Sequence, residues 1–131
     1  MRHCAELTGL VLSPSHIHPR AMLHFEEADG TKYGELECIC HVEPESNPRV
    51  TATEAFAPRW HSLSQIPYTE MPEDDAVWYP RILHSSTCLE GSFAFNGREL
   101  LGHTLTEVPC TEIARLAARW HSPQSSGINP R

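Results

Sequence analysis

Positive charge is scarce in this sequence: 10 Lys and Arg stand against 17 Asp and Glu, a net charge of −7 with a pI near 5.6. A binder of duplex DNA or RNA gains affinity by releasing counterions onto a basic surface, and this balance cannot supply one. No nucleic-acid polymer is expected as a partner. Long apolar runs are also missing. No stretch approaches the roughly 18 residues needed to cross a bilayer, so no membrane partner is expected. The opening Met1-Arg2-His3-Cys4-Ala5-Glu6 lacks the apolar segment of a signal peptide, and Leu10-Val11-Leu12 is too short to supply one, so secretion is not expected. Cysteines are few and odd in number: Cys4, Cys38, Cys40, Cys88 and Cys110. So scattered a set does not make a disulfide framework and suits a reducing compartment, which predicts mostly buried thiols. The sequence holds neither the G-x-S-x-G nucleophile elbow nor a P-loop.

What is present fits one domain. The chain has 131 residues, 40% of them hydrophobic, and a mean hydropathy of −0.38, enough for one modest core. Two residue types are abundant, with 9 His and 11 Pro.

Along the chain, Arg2 to Leu7 reads as the end of a helix, with Gly9 able to take the left-handed conformation after it. Residues 11–20 read as a loop. Ala21 to Glu26 and Leu36 to Val42 form a predicted hairpin across Ala28-Asp29-Gly30-Thr31, since Asp-Gly between apolar runs is a strong turn signal. In its second strand Leu36, Cys38, Cys40 and Val42 share one face and Glu37, Ile39 and His41 the other. Arg59 to Leu63 reads as a short strand. Glu73 to Leu83 reads as a helix that bends or ends at Pro80. Leu89 to Phe95 and Glu99 to Glu107 form a second hairpin across Asn96-Gly97. Thr111 is placed to cap a helix over 112–120, whose early Glu112 and late Arg119 match the helix dipole. From His121 the Ser, Pro and Gly content predicts a disordered tail. Strands outnumber helices, so the class is α+β.

His16-x-His18 and Cys38-x-Cys40-His41 have the composition of metal clusters but not their spacing. Zinc ligands sit two to four apart on turns, whereas strand spacing puts both thiols on one face and His41 on the other. Core thiols and a solvent-side imidazole are expected there, not zinc. The more informative run is Trp60 to Pro80, in which the adjacent carboxylates Asp74 and Asp75 precede Trp78 between prolines. This combination suits a flat heterocycle. A base stacks on an indole for roughly 1–3 kcal/mol, and a carboxylate accepts from a base edge. The structural alternative is an acidic turn at a helix start with Trp78 in the core.

Trp60, Leu63, Ile66-Pro67-Tyr68, Met71, Asp74-Asp75 and Trp78-Tyr79-Pro80, followed by Gly91 to Gly97 and Thr104 to Val108, carry a family pattern. From Arg2 to Val108 the chain resembles the carboxy-terminal part of the Nudix hydrolases that act on oxidised purine nucleoside triphosphates, the 8-oxo-dGTP diphosphatase type. The resemblance implies a mixed β-sheet sandwiched by helices, here without its first strands and most of the catalytic helix. Residues 1–108 would form the partial Nudix domain, 109–120 an added helix and 121–131 the tail. In the family, Asp74, Asp75 and Trp78 would meet the purine, Phe56 stands where a pocket Met is usual, and Pro72 replaces a Trp of the base clamp.

The family's chemistry lies in a glutamate-rich box that holds Mg²⁺ on the pyrophosphate while water attacks phosphorus. Its end aligns with Arg2 to Leu10 and keeps Arg2, Glu6, Gly9 and Leu10, but His3 and Leu7 replace two acidic metal ligands. Glu6 remains as the catalytic and metal-ligand remnant, and Glu54 lies one position from another acidic position of the family. The resemblance implies a monomer in the cytoplasm, nucleus or mitochondria that turns a purine nucleoside triphosphate into monophosphate and pyrophosphate with Mg²⁺. Two alternatives stand beside it. One is a catalytically dead nucleotide-binding or structural relative; the other is an incomplete chain whose sheet edges and apolar faces stay uncovered.

Overall fold

The computed structural model describes residues 14–42, 52 and 57–120. The described residues within 19–38 and 67–120 form one compact unit, and those within 1–18 and 39–66 form another. The expected amino-terminal helix end, the tail from His121 and the positions of Glu6, Glu54 and Phe56 lie outside the described residues.

Four strands make a mixed sheet: β1 (Ile17–Glu27), β2 (Lys32–Cys40), β3 (Cys88–Asn96) and β4 (Glu99–Val108), in the order β2-β1-β3-β4. β1 runs parallel to β3, with Leu23 opposite Gly91 and Phe25 opposite Phe93. β3 runs antiparallel to β4, with Phe93 opposite His103. Both hairpin turns fall on the sequence signals. Gly30 at φ +90° and Gly97 at φ +62° take backbone conformations that an L side chain disfavours, and Asp29 Oδ1 accepts the Thr31 N–H at 2.9 Å.

Two helices, α1 (Asp75–Leu83) and α2 (Cys110–Trp120), lie against the sheet, and beyond Met22 and Cys88 the face that carries His24, Glu90 and Ser92 is exposed. Successive strand residues face opposite ways, which identifies the side each helix serves. Arg81 of α1 pairs with Glu107 at 3.1 Å, and Glu107 stands opposite Leu89. On the other face, Ile113 of α2 packs with Met22 and Cys88, flanked by Leu36, Val108 and Leu116. Ile113, Leu116 and Ala117 lie at helical spacing, so one stripe of α2 is apolar. The described architecture is α+β, a mixed sheet between helices, as the sequence pattern implies.

Several expectations are corrected. β1 begins at Ile17 inside the expected loop, because Arg20 is anchored across the sheet: its guanidinium donates to Thr87 O at 2.6 and 3.0 Å and to Ser85 O at 2.7 Å. β2 spans 32–40 rather than 36–42. The expected strand at 59–63 is absent; this stretch has no ladder partner among the described residues, and Leu63–Gln65 forms a 3-10 turn instead, with Trp60 and Leu63 exposed. Pro80 lies inside α1, which continues to Leu83. α2 starts at Cys110, so Thr111 lies in its first turn rather than capping it.

The cysteines differ most. Cys88 and Cys110 are joined by a disulfide, and Cys38 is exposed and Cys40 half-buried rather than core thiols. β2 is an edge strand, where a side chain keeps contact with water. The disulfide follows from hairpin register: Val108 ends opposite Cys88, so the chain that turns from β4 into α2 brings Cys110 back to the start of β3.

Candidate functional site

Asp74, Asp75 and Trp78 meet at the start of α1. Asp74 is 0% exposed, Asp75 6% and Trp78 4%. An aspartate before a helix commonly caps it with its side chain, but Asp74 makes no such bond and has helical dihedrals itself. Its Oδ2 instead accepts the Trp78 indole N–H at 2.9 Å, one turn along the helix. The backbone supports this turn, with Val77 N–H donating to Asp74 O at 2.9 Å and Asp75 N–H to Pro72 O at 3.0 Å. Trp78 packs against Tyr79, ring centroids 4.3 Å apart, and Tyr79 meets Tyr68 edge to face at 6.1 Å. The Tyr68 hydroxyl is sealed from solvent and makes no hydrogen bond. Its burial, and then the Asp75 charge, push the phenol above its ordinary range.

A cavity of about 500 Å³ opens immediately before this helix start, within the size range of small-molecule sites. Met71, Pro72 and Glu73 form one wall, and Glu27, Tyr33 and Phe95 form the sheet side. The wall is held by turn bonds, Glu70 N–H to Pro67 O at 2.9 Å and Met71 N–H to Tyr68 O at 3.1 Å. Glu73 Oε1 accepts the Leu100 N–H at 2.9 Å, tying the wall to the β3–β4 hairpin. Thr69, Glu70, Gly97 and Arg98 complete the lining. The chemistry available is an aromatic surface, carboxylate acceptors and one guanidinium, which matches a flat ring with N–H donors.

Asp74, Asp75 and Trp78 are thus brought together behind the wall, while the lining itself comes from residues on either side of them in the fold. Sequence reading missed Glu27, Tyr33 and Arg98 as site residues, because they lie on strands and a hairpin far from the Trp60–Pro80 run. The one local signal was Glu27 interrupting the stripe of Ala21, Leu23 and Phe25. Among the described residues no group of three or more His, Cys, Asp and Glu is placed to hold a metal ion, and no helix is long and apolar enough to cross a membrane.

Sheet and helices together define an α+β domain with a cavity at the end of its two central strands. No family model matches the sequence. Over 108 residues the chain is 34% identical to the oxidized purine nucleoside triphosphate hydrolase of Mus musculus and 27% identical to the protein of that name from Danio rerio. Each match covers 82% of this chain, and the chain spans 66% of the length of each relative. The chain is related to these hydrolases.

Proposed function

We propose that the chain binds an oxidised purine nucleoside triphosphate through its base and hydrolyses it to the monophosphate and pyrophosphate. The observation that carries this reading is the cavity between Phe95 and the Met71–Glu73 wall, set against the Asp74–Trp78 helix start. The base enters beside Phe95 and Tyr33, where stacking contributes roughly 1–3 kcal/mol. The acidic lining repels phosphate, so the triphosphate points outwards past Arg98. Asp74 fixes Trp78; by the family resemblance Asp75 is the carboxylate that meets the base edge, although in this structure it is buried behind the lining. On this reading the chain acts as a monomer on free nucleotides in the cytoplasm, nucleus or mitochondria.

The metal does not fit as well as the base. Mg²⁺ takes hard oxygen ligands, and at the two aligned ligand positions the chain carries the imidazole of His3 and the isobutyl group of Leu7, with Glu6 alone between them. These residues do not make a Mg²⁺ site, and no step of the reaction is derived through the ion. They favour a second reading, nucleotide binding without hydrolysis.

One experiment separates the two. The full chain with Mg²⁺ and 8-oxo-dGTP is assayed for pyrophosphate release, and 8-oxo-dGMP binding is measured by calorimetry. Pyrophosphate release that falls about tenfold or more in Asp75→Ala supports hydrolysis. Binding without release supports the second reading, and absence of binding overturns both.

A further inference from the structure

The last residue of β1 breaks the pattern of its strand. Ala21, Leu23 and Phe25 are buried on one face of the sheet, and the next position on that face is Glu27. A local rule broken at a cavity points to a functional residue. Glu27 stands directly opposite Phe95 in the parallel ladder, so carboxylate and ring rise from the same face, and both line the cavity. The Tyr33 hydroxyl donates to Glu27 Oε1 at 3.3 Å. That hydroxyl is itself positioned: the Tyr33 ring stacks on Phe25 with centroids 5.1 Å apart and planes 13° apart, and Phe25 stacks on Phe93 at 5.5 Å. The other lining carboxylates are placed differently, since Glu73 is committed to the Leu100 N–H and Glu70 is exposed.

We propose that Glu27 is the residue that selects C8-oxidised purines over ordinary ones in this cavity. The inference rests on the base-binding reading above and adds the atom that is recognised. In an ordinary purine N7 is an acceptor with a lone pair. Oxidation at C8 places a carbonyl there and a hydrogen on N7, which becomes a donor. A carboxylate has only acceptor capacity, so beside Phe95 it accepts the N7–H of the oxidised base and repels the lone pair of the ordinary one. An amide in its place offers both a carbonyl and an NH₂ group and serves either base.

The test compares 8-oxo-dGMP with dGMP by calorimetry on the full chain, using monophosphates so that neither turnover nor metal enters. The wild-type chain is expected to prefer 8-oxo-dGMP by about tenfold or more. Glu27→Gln, which preserves shape, is expected to bring the ratio close to one while melting cooperatively, and Tyr33→Phe to lower it part of the way. A ratio unchanged in Glu27→Gln overturns the inference. So does a wild-type chain that binds both nucleotides equally, although base binding then stands. Binding of neither nucleotide overturns the base-binding reading together with the inference.

Discussion

The Trp78 indole and the Asp74 carboxylate form a side-chain hydrogen bond of 2.9 Å inside the domain, one helical turn apart, with both residues buried. The bond gives a fully buried carboxyl group a donor, which a polar group away from water needs.

Trp78→Phe keeps the ring and removes the donor. Urea unfolding is expected to show a loss of about 1–3 kcal/mol, with Asp74→Asn, which retains an acceptor oxygen, costing less. Equal stability of wild type and Trp78→Phe would show that the bond contributes nothing.

Gly91 is needed for closeness rather than for an unusual backbone. A Cβ there would stand 2.8 Å from Leu105 Cδ1 and 2.9 Å from Thr104 O on β4. The side chain can yield, but the backbone oxygen belongs to the ladder. Gly91→Ala is expected to destabilise the chain by about 1–3 kcal/mol, read as a lower urea midpoint with an unchanged slope.

Tyr68 gives a pH dependence whose sign can be worked out. Its phenol is held above the ordinary range by burial and by Asp75, so the folded chain keeps this proton to higher pH than the unfolded chain does. Below about pH 10 the contribution is fully present. Above it the unfolded state binds fewer protons, and stability falls as pH rises through the folded value. Tyr68→Phe is expected to flatten that fall relative to wild type and to cost nothing at neutral pH, since the hydroxyl it removes is unbonded. Parallel stability curves for the two proteins above pH 10 would contradict this.

The Cys88–Cys110 bond ties the start of β3 to the start of α2 across a sequence separation of 22. Breaking a native disulfide of this reach costs about 2–4 kcal/mol. Dithiothreitol or Cys110→Ser is therefore expected to lower the melting temperature, and mass spectrometry after alkylation should count two more modified thiols in the reduced chain than in the oxidised one. Identical alkylation with and without reductant would show that the bond does not form.

Elements with a strong local cause were legible from residues alone. Asp29-Gly30 and Asn96-Gly97 announced both hairpins, because the left-handed backbone at those turns nearly requires glycine. The alternation from Leu89 to Phe95 announced β3, and the periodic stripe of Ile113, Leu116 and Ala117 announced α2. Arg59 to Leu63 misled, since a β-prone run becomes a strand only beside a partner.

The sequence by itself determined the α+β class, the two turns, the acidic pair before Trp78 and the likeness to oxidised-purine hydrolases, all set by residues adjacent in the chain. Only the tertiary structure decided that Asp74 faces an indole, that Cys88 meets Cys110, and that Glu27, Tyr33 and Phe95 share one cavity. The first depends on where the helix starts, which sets Asp74 and Trp78 one turn apart; the other two depend on strand order and register, which bring together residues far apart in the chain.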